Sequence, residues 1–274
     1  MTNLSEIEKY YDKFNEDHRL QTRHGLVEFN TTMHYVIEYA EKIRQKYDTV
    51  QKQNMTQNSD IKILDIGAGT GRYSVALLEK GYDVTAVELV KKNLDILRKK
   101  GTMVKTWQGN ALDLHFLPDK KYDITLMLGP LYHLISEEEK LAAFVEAQRV
   151  TKDGGFIFAG YIMNDYSVIK YCFEKDKVAE CLENGSLTSS FITKADKKDL
   201  YDYITLDRIN ALNKKTGLER QTIFAPDGPS DYMRKELNAM SEENFFLFQK
   251  YVLSISQRPD LLGASSHLVD VLKN

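Results

Sequence analysis

Short apolar runs alternate with stretches of helical periodicity through the middle of the chain. The first run is rich in β-branched residues and stops at Gly67, which predicts a buried strand, and the later runs are predicted to be strands as well. The runs lie at 61–66, 84–87, 103–107, 124–128 and 156–161. Between them, apolar residues three and four positions apart predict amphipathic helices. Strands that alternate with helices predict βαβ units, and therefore an α/β fold with a doubly wound, mostly parallel sheet.

The flanking segments have a different pattern. Residues 1–60 carry apolar residues at helical spacing and are expected to form an N-terminal helical cap. Residues 61–164 form the predicted α/β core, and the polar stretch 165–203 is expected to be a cap insertion. Residues 204–274 then complete the core.

Two strands are predicted in this C-terminal part, at 218–224 and 267–272. One long helical pattern, from Tyr232 to Ile255, lies between them. We interpret it as a helical insertion at about 229–256 that closes over the sheet together with the other two caps.

The composition excludes several classes of protein. The 37 basic and 40 acidic side chains give a formal net charge of −3, whereas nucleic-acid-binding proteins usually carry a basic surplus. The N-terminal residues are strongly charged, which argues against a signal peptide, and no apolar run is long enough to span a membrane. We therefore expect a cytoplasmic protein that binds neither nucleic acid nor membranes. A homodimer is left open.

The most informative stretch is LDIGAGTG, residues 64–71, where a strand leads directly into glycines and then into a helix. Glycine is required where the backbone bends sharply and a ligand approaches closely. At the carboxyl edge of a parallel sheet, such a turn forms the floor of a nucleotide crevice. Glu88 ends the second strand, where a carboxylate can accept hydrogen bonds from both hydroxyls of a ribose.

Two cofactor classes share this geometry. The dinucleotide fingerprint has a third glycine three positions after the second, and Arg72 stands there instead. The glycines follow a G-x-G-x-G pattern at 67, 69 and 71. This difference disfavours an NAD-dependent dehydrogenase without excluding it.

Five stretches resemble, in order, the motifs of the class I S-adenosylmethionine-dependent methyltransferases, particularly their broad small-molecule group (methyltransferase-domain types 11 and 25). They are residues 64–71, 84–88, 108–111, 122–134 and 149–155. The resemblance covers roughly residues 61–164 and implies a Rossmann-like, seven-stranded sheet whose last strand is antiparallel. It also implies S-adenosylmethionine as the cofactor.

Carried over residue by residue, the resemblance implies a cofactor-binding set. Its members are Asp65, Gly67, Ala68, Gly69, Gly71, Glu88, Leu89, Asn110, Ala111, Leu128 and Gly129. Asn110 departs from the family pattern, which usually has Asp facing the adenine amino group. Its side-chain carbonyl can still accept a hydrogen bond.

Other candidates come from the chemistry of the reaction. His133 follows the fourth strand and is the candidate general base, although lining the pocket and plain packing remain alternatives. Arg19 and Arg23 could bind the methionine carboxylate through two parallel hydrogen bonds. No histidine spacing fits a zinc site, and no metal is expected.

Together these observations predict a methyltransferase that moves a methyl group to a small-molecule acceptor by in-line displacement. Two alternatives stay open. One is a protein that binds S-adenosylmethionine without catalysis, and the other is a methyltransferase that acts on protein or RNA.

Overall fold

A computed structural model describes residues 4–13, 22–51 and 60–274, and within them seven strands form one sheet. The strands are β1 (Lys62–Ile66), β2 (Asp83–Glu88), β3 (Lys105–Gln108), β4 (Tyr122–Met127), β5 (Thr151–Ile162), β6 (Glu219–Phe224) and β7 (His267–Lys273). Their order is β3-β2-β1-β4-β5-β7-β6. Strands β1 to β5 are parallel, and β7 is antiparallel to both β5 and β6. The predicted fold class is confirmed, including the antiparallel last strand.

The helices of the described residues are named in chain order. They are α1 (Leu4–Lys13), α2 (Arg23–Gln51), α3 (Arg72–Glu79), α4 (Lys91–Lys99), α5 (Glu137–Val150), α6 (Asn164–Ser167, continued by a π-helical segment over Val168–Phe173), α7 (Val178–Glu183), α8 (Leu206–Thr216), α9 (Arg234–Ala239) and α10 (Glu242–Ile255). A 3₁₀ turn at Pro130–Tyr132 follows β4. All five strands predicted between 61 and 161 are present, and β5 begins earlier than predicted, at Thr151.

Helices cover both faces of the central strands, and successive side chains of a strand point to opposite faces. In β1, Ile63 packs in a cluster with α2, α3 and α4, whereas Leu64 packs in a second cluster with α5 and α8. Neither side chain is exposed. This two-sided burial explains why β1 is a continuous apolar run.

Helix α2 is part of the layer that packs on the sheet. The N-terminal cap expected for residues 1–60 is therefore divided into α2, on the sheet, and α1, which lies elsewhere. The apolar stripe of α2 contacts β1, β4 and β5. The ring of Tyr39 meets the rings of Phe156 and Phe158 on β5 edge-on, with centroids 4.7 and 5.7 Å apart. Helix α1 lies elsewhere, against α4, where Lys92 Nζ donates to the Tyr11 carbonyl at 3.1 Å.

The prediction of a single helix from Tyr232 to Ile255 is wrong, because the helical conformation is interrupted at Met240 and Ser241. Met240 is extended (φ −69°, ψ 144°) and ends α9. The Ser241 side chain accepts from the Asn244 N–H and so starts α10, which a serine hydroxyl does well. Both helices pack on α2, and a small apolar cluster containing Val27 and Val252 joins them to it.

A buried ion pair fastens the 165–203 segment to the core. Lys140 of α5 and Asp202 have side chains only 3% and 5% exposed, and Lys140 Nζ lies 2.9 Å from Asp202 Oδ2. Lys140 also donates to the Leu134 carbonyl, and the Asp202 N–H donates to the Tyr132 carbonyl at 2.8 Å. Burial lowers the pKa of Lys140, and Asp202 opposes that shift. The segment is thus fixed against the turn that follows β4.

Replacing Lys140 by Met should destabilise the protein by about 3 kcal/mol, because Asp202 would stay buried with Arg208 as its remaining cation. Urea unfolding measures the effect. The half-exposed pair of Lys215 and Glu137 provides the control, and Lys215→Met should cost under about 1 kcal/mol. Equal losses for the two variants would contradict the buried pair's structural role.

Candidate cofactor and active site

A cleft opens at the carboxyl ends of β1, β2 and β4. It has an empty volume of about 1230 Å³, its open mouth included, which is large enough for a nucleoside-sized ligand. Strand β1 lies between β2 and β4, so the chain order of the strands reverses there. Doubly wound sheets bind their ligands at this switch point. Helix α1 contributes Ile7 and Tyr11 to the wall.

The structure brings most of the predicted site residues to this cleft. They are Asp65, Gly67, Ala68, Gly69, Glu88, Leu89, Asn110, Ala111, Leu128, Gly129 and His133. Gly71 and Arg23 do not line it. Arg19 lies outside the described residues.

Two glycines of the turn are required for different reasons. Gly67 has φ +71°, and a Cβ there would lie 2.8 Å from Cδ of Pro130. The cleft floor therefore requires a residue without a side chain at this position. Gly71 has φ +84°, and its Cβ would lie 2.3 Å from a Leu97 methyl carbon. Gly71 therefore allows α3 and α4 to pack closely, which differs from the cofactor contact predicted for it.

Glu88 holds the glycine turn in place. Its Oε2 accepts from the Gly69 N–H at 2.7 Å, and its Oε1 accepts from the Val90 N–H at 2.8 Å. The residue is 5% exposed and lines the cleft. Each carboxylate oxygen has a second lone pair, so Glu88 retains the capacity to accept from ribose hydroxyls. Sequence reasoning missed its role in shaping the turn.

Asp65 is a buried carboxyl at the end of β1. It is 2% exposed, and the Ser74 Oγ donates to its Oδ2 at 2.5 Å. Burial raises the pKa of Asp65 to about 6, although the side-chain and backbone hydrogen bonds from Ser74 oppose the rise. A raised pKa means that the folded protein favours the neutral acid. Ionised Asp65 therefore destabilises the fold, and a cationic ligand group near it would reduce that cost.

The raised pKa of Asp65 predicts how the free energy of unfolding changes with pH. Below pH ~4 the carboxyl is largely neutral in both folded and unfolded chains. Its destabilising effect grows between pH ~4 and about 6, where the unfolded chain ionises before the folded one, and is constant at higher pH. Asp65→Asn should therefore raise the free energy of unfolding by up to about 3 kcal/mol at pH 7.5 and by little at pH 4. Denaturation across this pH range measures it, with exposed Asp153→Asn as the control. A gain that does not depend on pH would contradict the assigned pKa.

His133 is buried and has both ring nitrogens occupied. Nδ1 lies 2.8 Å from the Leu200 carbonyl and must donate to it, so Nε2 accepts from the Tyr11 hydroxyl at 2.9 Å. Burial lowers the pKa of His133 to about 4. A neutral imidazole whose lone pair already holds a hydroxyl is poorly suited to remove a proton from an acceptor. The contacts fit the pocket-lining alternative better than the general base.

We expect the His133 imidazole to stay neutral between pH 5.5 and 8, because burial lowers its pKa to about 4. Nitrogen chemical shifts of labelled histidine measure this, and His133→Asn assigns the signals. An inflection near pH 6.5 in the His133 signals would contradict the buried, neutral imidazole.

The adenine-side candidate, Asn110, also shapes its own loop. Its Oδ1 accepts from the Leu112 N–H at 3.1 Å, and its backbone forms an isolated bridge with Asp113. Both Asn110 and Ala111 line the cleft. The amide that replaces the usual Asp thus keeps an acceptor in this part of the cleft.

Arg23 lies away from the cleft. Its guanidinium donates to the carbonyls of Leu237 and Met240, pairs with Glu242 and stacks on Phe245. It therefore joins α2 to α9 and α10, in place of the cofactor contact predicted for it. Sequence reasoning missed Arg72, which lines the cleft directly after the glycine turn.

One group of potential metal ligands lies outside the cleft lining. Single ligand atoms of Glu28, Asp227 and His267 lie within 4.8 Å of one another. Asp227 is already bound by the hydroxyls of Ser265 and Ser266, and its Oδ2 lies 2.7 Å from His267 Nδ1. The carboxylate is thus engaged as a structural acceptor, and the expectation that no metal is used stays a prediction.

The fold and the cleft define a doubly wound α/β domain with a nucleotide-type glycine turn. Residues 63–155 match a family model described as a methyltransferase domain, and this part of the chain is a class I S-adenosylmethionine-dependent methyltransferase domain. The fold is shared with a methyltransferase structure from Methanosarcina mazei, at a TM-score of 0.51 and 15% identity over 78% of this chain and 92% of that one.

Curated relatives are similar over part of their length. The cypemycin N-terminal methyltransferase of a Streptomyces species is 38% identical over 99 residues, 35% of this chain and 40% of the relative. The glycine/sarcosine N-methyltransferase of Aphanothece halophytica is 25% identical over 149 residues, 48% of this chain and 56% of the relative. This chain thus spans about half the length of these relatives. Among the described residues, no helix is long and apolar enough to cross a membrane.

Proposed function

We propose that this chain is an S-adenosylmethionine-dependent methyltransferase that acts on a small-molecule acceptor by in-line displacement. The observation that carries the proposal is the meeting of the glycine turn, Glu88 and Asn110 in one cleft at the switch point of the sheet. The methyltransferase domain over residues 63–155 supports it. An NAD-dependent enzyme would be expected to have a glycine where Arg72 stands.

The residues of the cleft fit the cofactor group by group. Glu88 is the acceptor for the ribose hydroxyls, and Asn110 with Ala111 lies on the adenine side. Asp65 offers a carboxylate to the amine of the methionine end. Leu128 and Gly129, beyond β4, border the same end. Gly71 and Arg23 are left out of this assignment because neither lines the cleft.

The chemistry asks little of the protein beyond positioning. S-adenosylmethionine supplies an electrophilic methyl group on a sulfonium. The protein must hold the nucleophile about 3 Å from that carbon and in line with the departing sulfur. Tyr11, Tyr73, Tyr132 and Leu134 line the cleft and exclude water from it.

We assign His133 a positioning role rather than that of a base. Its Nε2 fixes the Tyr11 hydroxyl, and so it attaches α1 to the wall of the cleft. A neutral imidazole can perform this role at physiological pH. Tyr201 of the 165–203 segment also packs against His133, with ring centroids 5.1 Å apart. Helix α1 and this segment are therefore the proposed cap of the cleft.

A small acceptor agrees with the charge of the chain and with its relatives. The net charge of −3 gives no general attraction for nucleic acid. The relative from Aphanothece halophytica is named for glycine and sarcosine, and a relative from Rickettsia bellii, 24% identical over 68% of this chain and 82% of its own length, is named for ubiquinone biosynthesis.

Calorimetry tests the cofactor assignment. S-adenosylmethionine and S-adenosylhomocysteine should bind, and NAD should not. Glu88→Gln leaves one carbonyl oxygen for the Gly69 and Val90 amides and the ribose, so it should weaken S-adenosylhomocysteine binding by about 1–3 kcal/mol.

Glu219 is the matched control, because it is an exposed acid on β6 whose side chain is 71% accessible. Glu219→Gln should bind S-adenosylhomocysteine as the wild type does. Tight NAD binding without any response to either sulfur compound would end the methyltransferase proposal. Release of S-adenosylhomocysteine from S-adenosylmethionine with amine and phenol mixtures would separate an enzyme from a non-catalytic binding protein.

A further inference from the structure

Arg72 forms no ion pair with a carboxylate of the described residues. It is the first residue of α3, directly after the glycine turn, and it lines the cleft. Within the described ranges, every other arginine has a carboxylate oxygen within 4.0 Å. These are Arg23, Arg44, Arg98, Arg149, Arg208, Arg220, Arg234 and Arg258. Arg72 has no such partner among the described residues.

The Arg72 side chain is fixed but unsatisfied. Its guanidinium carbon lies 4.6 Å from the centroid of the Phe29 ring, a cation–π contact that orients the planar group. Its Nε is buried and has no hydrogen-bond partner among the described residues. A buried donor left without an acceptor carries an uncompensated desolvation penalty, so the site favours a ligand that supplies an acceptor.

The location of Arg72 strengthens this requirement. A cation in the first turn of a helix opposes the helix dipole, and α3 has no acidic residue in that turn. Asp65 accepts from the hydroxyl and backbone N–H of Ser74, two residues after Arg72. The other acids of the cleft also have partners, since Glu88 binds two backbone amides and Glu139 accepts from the Ser136 N–H.

We infer that Arg72 is a carboxylate-binding residue of the cleft. A guanidinium offers parallel N–H donors that match a carboxylate, and the stacking on Phe29 holds them ready. The carboxylate has two potential sources, the amino-acid end of the cofactor and the acceptor. The first source rests on the proposed function. The second does not depend on which cofactor binds.

The first arm of the test compares S-adenosylmethionine with decarboxylated S-adenosylmethionine by calorimetry, because the two differ in the carboxylate alone. Arg72→Gln should weaken the first by roughly 10- to 100-fold and leave the second unchanged or slightly tighter, since one positive charge leaves the cleft. Arg72→Lys should restore part of the difference. Arg98→Gln is the matched control, since Arg98 lies half-exposed on α4 beside Asp95.

The second arm titrates sodium acetate and glycine, with and without S-adenosylhomocysteine, and uses methylammonium chloride at equal ionic strength as the control. One supporting result is that Arg72→Gln abolishes acetate and glycine binding but leaves the binding of both adenosyl ligands unchanged. This result assigns the carboxylate to the acceptor. A loss confined to S-adenosylmethionine supports the inference and assigns the carboxylate to the cofactor.

The inference is overturned if Arg72→Gln weakens both adenosyl ligands equally, which is the result of a packing role on Phe29. It is also overturned if the variant changes the binding of neither adenosyl ligand, and acetate and glycine either fail to bind or bind independently of Arg72. Wild-type protein that binds neither adenosyl ligand refutes the proposed function instead, and the acetate arm on the free protein still decides the role of Arg72.

Discussion

The cleft depends on two hydrogen bonds of the Glu88 carboxylate. One oxygen accepts from the Gly69 amide and the other accepts from the Val90 amide. Gly69 belongs to the turn after β1, and Val90 precedes α4, so a single side chain joins two βα connections. A carboxylate buried at this depth is tolerated because charged acceptors form strong bonds with backbone N–H groups. The cleft floor is therefore held by the same group that faces the ligand, and its shape and its binding chemistry cannot change independently.

The surroundings of the cleft combine rigid and costly features. Lys140 and Asp202 fix the segment that carries the Leu200 carbonyl, which in turn sets the tautomer of His133 and leaves Nε2 to accept from Tyr11. The charges of Asp65 and Arg72 are not compensated in this way. The pKa of Asp65 is raised to about 6 by burial, and the buried Nε of Arg72 has no acceptor among the described residues. Unfavourable groups of this kind persist where binding requires them, at the expense of stability.

The sequence predicted β1, β2 and β4 well because each is an apolar run buried on two faces, and the glycine turn because its backbone tolerates few other residues. The partners of amphipathic helices were harder to predict. The apolar stripe of α2 is clear in the sequence, but periodicity does not say whether a helix packs on a sheet or covers a crevice, and α2 packs on the sheet. The break at Ser241 was missed because the helical spacing of apolar residues continues across it, while the serine cap acts locally. Long cations are least predictable, since Arg23 reaches the carbonyls of Leu237 and Met240, distant in sequence.

Asp65 and Arg72 also explain why the cleft should prefer a zwitterionic ligand end. They stand at the two ends of one glycine turn, yet no ion pair within 4.0 Å joins them, because Ser74 holds the carboxyl and Phe29 holds the guanidinium. Two opposite charges kept apart in a partly desolvated cleft each lack a counter-charge in the part of the chain that the structure describes, and the energy of each rises as water is excluded. A ligand that carries an amine beside a carboxylate reduces both costs at once. A ligand with a pyrophosphate would satisfy Arg72 but would add negative charge near Asp65 and Glu88. The electrostatics of the turn therefore favour an amino-acid end over a dinucleotide, in agreement with the glycine pattern of the sequence.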